Sequence, residues 1–170
     1  MIRNILKNKK GETLVEILIY VAITSAVIGS FVSFALLINE LRIKTLSIKK
    51  VETSVSDVFL LLDKEIRNSE KVIEPPSKAS STRLILDIRN QSENKIIEAV
   101  GGIVYLTEGS AAPVRITGNS VYIDKLDFIN LAEEGGKDAV MAEIESRYRY
   151  ESSQAFEFSL SDSLIITRRF

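Results

Sequence analysis

Residues 17–38 read ILIYVAITSAVIGSFVSFALLI and carry no charged side chain. As a helix rising ~1.5 Å per residue, this run spans roughly 33 Å, enough to cross the hydrocarbon core of a bilayer. Ahead of it stand Arg3, Lys7, Lys9 and Lys10, with no acid before Glu12. That asymmetry predicts a cytoplasmic N-terminus and an extracytoplasmic remainder. A secretory signal peptide fits less well, because the run is longer than an h-region and no A-x-A-like site follows it.

Past Ile38 the chain turns polar without a helix breaker. Val51, Val55, Val58, Leu62 and Ile66 recur at i, i+4, i+7, i+11 and i+15, while Lys50, Asp57 and Lys64 lie off that stripe and Phe59 flanks it. The helix is therefore expected to continue as an amphipathic one, from Thr13 to about Lys71, roughly 88 Å in all. Val72-Ile73 and then Pro75-Pro76 end it. The apolar stripe needs a core to dock on.

After the polar connector 75–82 (PPSKASST) the period changes to two. Leu84, Leu86 and Ile88 alternate with Ile85, Asp87 and Arg89. Ile96–Val100 meets Ile103–Leu106 through Gly101-Gly102, a two-residue hairpin signal. Gly118-Asn119 separates Val114–Thr117 from Val121–Ile129. In Val140–Tyr150, the residues Val140, Ala142, Ile144, Tyr148 and Tyr150 face one side and Glu143, Glu145, Arg147 and Arg149 the other. Phe156, Phe158 and Leu160 alternate likewise, and Leu164–Thr167 is expected to close the sheet. The fold class is α+β: a long N-terminal helix packed on an antiparallel sheet head.

The 170 residues hold 22 Lys+Arg against 23 Asp+Glu and no His, Cys or Trp. Histidine general bases, thiol nucleophiles, disulfides and Cys/His zinc sites are thereby excluded. No S-x-x-K or G-x-S-x-G stands behind a serine nucleophile. We expect no enzyme and no cofactor. Glu133–Asp138 (EEGGKD) offers oxygen ligands but matches no twelve-residue calcium loop and includes Lys137, so it reads as a solvated loop and no metal site is expected. Arg168-Arg169 reads as an exposed polar tail.

One residue resists the plain-anchor reading. Glu16 sits at the edge of the apolar run beside Leu14 and Val15. A carboxylate at membrane depth costs on the order of 2–3 kcal/mol, so it points to a partner. The segment Lys9-Lys10-Gly11-Glu12-Thr13-Leu14-Val15-Glu16-Ile17-Leu18 resembles the processing signal of type IV prepilins. The motif covers about a dozen residues, and the long apolar helix extends the likeness over roughly the first seventy.

The resemblance implies that prepilin peptidase cuts after Gly11 and that Glu12 becomes the mature N-terminus. Most prepilins place Phe there, and the peptidase methylates its amine; this chain departs from them with Glu12, and also in lacking a proline in the membrane segment. Glu16 takes the place of the family's glutamate, which neutralises the N-terminal amine of a neighbouring subunit during assembly. Cleavage creates that amine, so processing and assembly would be coupled. The resemblance further implies the domains: leader 1–11, transmembrane and assembly helix 12–38, amphipathic helix 39–74, and β-rich extracytoplasmic head 75–170.

Small residues at Ala22, Ala26 and Ser30, and at Ser25, Gly29 and Ser33, recur at spacing four and suit close helix packing in a membrane. The strand-rich head and Asp63-Lys64-Glu65-Ile66-Arg67 near the helix end are similar to W-type minor pilins and the J-type minor pseudopilin of type II secretion. Partners implied are prepilin peptidase, other pilin or pseudopilin subunits, the inner-membrane assembly platform and membrane lipid. Loss of the leader leaves 18 Lys+Arg against 23 Asp+Glu, a net −5 that disfavours DNA binding. The other reading is a single-pass anchored binding domain that forms no filament.

Overall fold

The computed structural model describes residues 9–88, 93–133, 139–148 and 158–167, with side chains from residue 13 onward. The chain divides into two compact units between Lys44 and Thr45. One helix, α1 (Lys9–Asn68), runs through both.

In the first unit every side chain from Thr13 to Lys44 is exposed, including Phe31 at 70% and Leu36 at 66%. An 18-residue window of this stretch is apolar enough to cross a membrane and none of it is buried within the chain. A soluble core helix would have hidden such side chains, since each is worth about 1.5–3 kcal/mol when buried. Gly29 and Ser30 do not interrupt the helix. Ser30 Oγ donates to the Ala26 carbonyl and Ser33 Oγ to the Gly29 carbonyl, both at 2.9 Å. Both hydroxyls are satisfied inside the helix, as hydrocarbon requires.

In the second unit α1 lays its stripe on the head. Val51, Val58, Leu62 and Ile66 are fully buried and Val55 is 2% exposed. Among the described residues the head forms nine strands: β1 (Ser69–Glu74), β2 (Ser80–Ser81), β3 (Arg83–Ile88), β4 (Lys95–Val100), β5 (Ile103–Glu108), β6 (Val114–Arg115), β7 (Val121–Asn130), β8 (Ala139–Tyr148) and β9 (Ser159–Thr167). They form two sheets, ordered β1-β3-β4-β5-β6 and β2-β7-β8-β9, with every pairing antiparallel. The core joins the helix stripe to Leu84, Leu86, Ile97 and Val104 of the first sheet and Phe128, Val140, Ala142, Ile144 and Ile166 of the second. The α+β class and the layout expected from pilins both hold.

The alternations in β3 and β8 hold residue by residue: Leu84, Leu86 and Ile88, then Val140, Ala142 and Ile144, are buried. So does the hairpin. Val100 pairs with Ile103 across Gly101 (φ 60°) and Gly102 (φ 79°), the paired left-handed geometry of a type I′ turn. A Cβ on Gly102 would run into the Tyr122 ring.

Four expectations are corrected. The helix ends at Asn68, not Lys71, so residues 69–74 of the expected amphipathic helix 39–74 are strand β1, paired with β3. Ser69 Oγ donates to the Ile66 carbonyl at 2.7 Å and takes up a last-turn acceptor. Downstream, β-branched Val72-Ile73 and the restriction Pro75 places on Glu74 favour an extended chain.

The head is two sheets rather than one. The turn expected at Gly118-Asn119 is present, with Val121 N–H donating to the Gly118 carbonyl at 3.4 Å, but its two flanks lie in different sheets, since β6 pairs with β5 while β7 pairs with β8. The connector contains β2, held by Asn130: its N–H bonds the Ala79 carbonyl, its carbonyl accepts from Lys78 N–H, and its Nδ2 donates to the Pro75 carbonyl at 2.9 Å. Finally, Leu160 and Leu164–Thr167 belong to one strand, β9, which lies at the sheet's edge. Arg89, Arg149, Tyr150, Phe156, the loop 134–138 and Arg168-Arg169 lie outside the described residues.

Candidate functional site

The residues singled out for processing and assembly all lie on α1. Gly11 and Glu12 fall within its first turn, which starts at Lys9. Glu16 follows one turn after Glu12 and is exposed. At 3.6 residues per turn, Ala22, Ala26, Gly29 and Ser33 fall within about 60° of one another, with Ser30 roughly 40° to one side. Glu16 lies about 40° beyond Ser30. A Cβ added at Gly29 meets nothing within 4 Å. The helix thus presents a narrow, open face of small side chains with one carboxylate at its margin. Chemically this face offers close approach to another helix and a single negative charge at a fixed height, nothing that transfers a group.

A second constellation, in the head, was not anticipated. Glu65 on α1 is only 4% exposed, yet it borders the stripe residue Ile66. Lys95 of β4 reaches it with Nζ 2.9 Å from Oε2, and also lies 2.8 Å from Glu108 Oε1 on β5. The lysine side chain is 13% exposed. This triad ties the helix to the first sheet. Burial works against the Lys95 ammonium, but hydrogen bonds to Glu108 and Glu65 outweigh it and raise its pKa above the ordinary 10.5. The hydrogen bond from Lys95 holds Glu108 below the ordinary 4.5.

The signs set the pH behaviour. A raised lysine pKa stabilises fully below about 10.5 and fades as pH climbs through the folded value; a lowered carboxylate pKa stabilises above about 4.5 and fades on acidification through the folded value. With no histidine in the chain, the melting midpoint of the head should be level from about pH 5 to about 10, falling on the acid side as Glu108 takes up its proton and on the alkaline side as Lys95 loses its own. Lys95→Met should lower stability by about 1–3 kcal/mol by leaving the buried Glu65 without its nearest cation. Thermal melts of the two proteins across pH check both statements; a Lys95→Met protein as stable as wild type would contradict them.

Among the described residues no three His, Cys, Asp or Glu side chains are grouped so as to hold a metal ion. Glu133 is exposed at the end of the described stretch, and the rest of the EEGGKD loop lies outside it. No protein-family model, curated protein or solved structure matches this chain.

Proposed function

We infer that the chain is a prepilin-like subunit, a minor pilin or pseudopilin, cut by prepilin peptidase after Gly11 and assembled through its N-terminal helix into a type IV pilus or a type II secretion pseudopilus. It acts by packing and presentation rather than by catalysis. The observation that carries this reading is the change of character along α1. The helix is apolar and wholly exposed through its membrane-length part, with Glu16 at the edge, and is buried along one stripe where it enters the head.

A helix that only anchored a domain would need neither the carboxylate nor the small face. In hydrocarbon a carboxylate of one subunit and an amine of the next are each too costly alone, and together they set register. The head remains outside the cytoplasmic membrane on this reading, with the basic segment inside. Other subunits, the assembly platform and lipid are its partners.

Replacing Gly11 by a bulky residue tests the processing step. In cells that contain the peptidase, the Gly11→Phe precursor should stay at full length, because the enzyme must fit the residue before the scissile bond. Gel mobility of the two forms reads the outcome, and normal trimming of the variant would contradict the assignment.

A further inference from the structure

Among the described residues four strands end the two sheets, and three of them are protected against pairing. β2 and β6 are two residues long. β1 breaks register twice against β3, contains Lys71 and runs into Pro75. β9 differs. It is nine residues long, pairs with β8 in unbroken register, and its sequence SLSDSLIIT has no Pro or Lys and a single charge, Asp162. A long edge of that composition is a template for another strand.

The register shows which of its backbone groups face β8 and which face away. Tyr148 N–H donates to the Phe158 carbonyl at 3.1 Å, which makes this a hydrogen-bonded pair of the antiparallel ladder. Leu160, Asp162, Leu164 and Ile166 follow as the other bonded positions on β9. The N–H and C=O groups of Ser159, Ser161, Ser163, Ile165 and Thr167 therefore point away from β8. Consistent with this, Ser163 N–H is taken by the carboxylate of its own neighbour, Asp162 Oδ1, at 2.8 Å. Asp162 thus shields the middle of the open edge.

Between β9 and α1 runs a groove of about 510 Å³. Phe59, Leu60 and Leu164 supply apolar surface, and Leu60 is 66% exposed. Glu52, Asp63 and Asp162 line it as well, Asp63 being shared with Arg67 at 2.7 Å, and no Lys or Arg is among its described lining. The groove is therefore apolar with an acidic border, beside the row of main-chain donors and acceptors that face away from β8.

We propose that β9 is a strand-addition site for an extended segment of another protein in which basic and apolar side chains alternate. Main-chain hydrogen bonds to the odd-numbered residues of β9 hold the segment; its basic side chains share the face of Leu160, Asp162 and Leu164 and enter the groove with their stems along its apolar wall and their charges at its acidic border, and its apolar side chains lie on the opposite face, that of Ile165. A lysine or arginine facing Asp162 draws the carboxylate away from Ser163 N–H, so the cation that pairs with the acid also opens the edge. Neutral or acidic strands meet the shield closed. A second copy of this chain is the weaker occupant, since β9 against β9 brings Asp162, Glu52 and Asp63 of two molecules together. The site does not depend on the filament reading.

The test uses the full chain in micelles of an uncharged detergent with two peptide probes, (Lys-Val)5 and (Glu-Val)5. The Lys-Val peptide should bind at least tenfold tighter, and amide exchange should slow at Ser159, Ser161, Ser163 and Ile165 but not at Leu160, Asp162 or Leu164. Asp162→Ala should narrow the preference to under threefold. Ser161→Pro removes an outward N–H without touching the β8 ladder and should weaken binding at least tenfold. Glu52→Lys, on the exposed helix surface, should weaken it even if the proline variant misfolds. Equal affinity for both peptides, protection of another segment, or dimerisation through β9 without peptide binding would each overturn the proposal.

Discussion

Glu16→Ala and Glu16→Gln should enter the membrane as well as wild type and fail to enter filaments. Either change removes a charge from the border of the apolar run, which if anything favours insertion. Assembly should suffer because the amine of the incoming subunit then meets no carboxylate where an unpaired charge is expensive. The two effects have opposite signs, and that separates the readings. An ordinary anchor shows no assembly defect, and a signal peptide shows only a secretion effect. Glu12 carries its own carboxylate beside the amine and offers a substitute, so Glu12→Phe combined with Glu16→Ala should be the more defective. Co-purification with the filament measures both; wild-type incorporation of the double variant would mean that amine pairing plays no part.

Leu62→Ala should cost the head about 2–5 kcal/mol. Leu62 is fully buried and belongs to the core that joins the helix stripe to residues of both sheets. A fragment starting near Ile43 should fold without the membrane run, because its half-helix and strands bury each other. Its circular dichroism should show helix and strand together, and Leu62→Ala should lower its melting midpoint by on the order of 10 °C. Leu60→Ala, two residues away and 66% exposed, should move it little, within about 0.5 kcal/mol. Equal midpoints for the two variants would contradict the packing described.

What could be read from the chain followed from periodicity and from turn chemistry. The stripe from Val51 to Ile66, the alternation of Leu84, Leu86 and Ile88, and the Gly101-Gly102 hairpin are local patterns in which each residue's environment repeats with the element's own period. The partition of strands between two sheets was not legible. Gly118-Asn119 marks a turn, and only the pairing of β6 with β5 and of β7 with β8 reveals that the chain changes sheet there. The helix end was misplaced by three residues because Ser69-Glu70-Lys71 suits either structure, and pairing with β3 decides for the strand.

Of the candidate site, Gly11, Glu12, Glu16 and the small-residue face were legible because they lie on one helix and need no tertiary contact. The Glu65–Lys95–Glu108 triad joins residues up to 43 positions apart, and Glu65 sits in a charged run, Asp63-Lys64-Glu65, that gives no sign of burial. A signal existed in its helical phase: Glu65 stands three residues after Leu62 and beside Ile66, on the border of the buried stripe. Asn130 was equally silent, since an asparagine at a strand's end ordinarily marks a turn, and here it fastens the connector to β7.

The mass of the mature chain tests the central claim most directly. Protein purified from the native membrane and analysed intact should begin at Glu12, having lost residues 1–11 and kept the apolar run 17–38. A chain that retains Met1, or one that is cut after the apolar run as a signal peptide would be, would contradict the account.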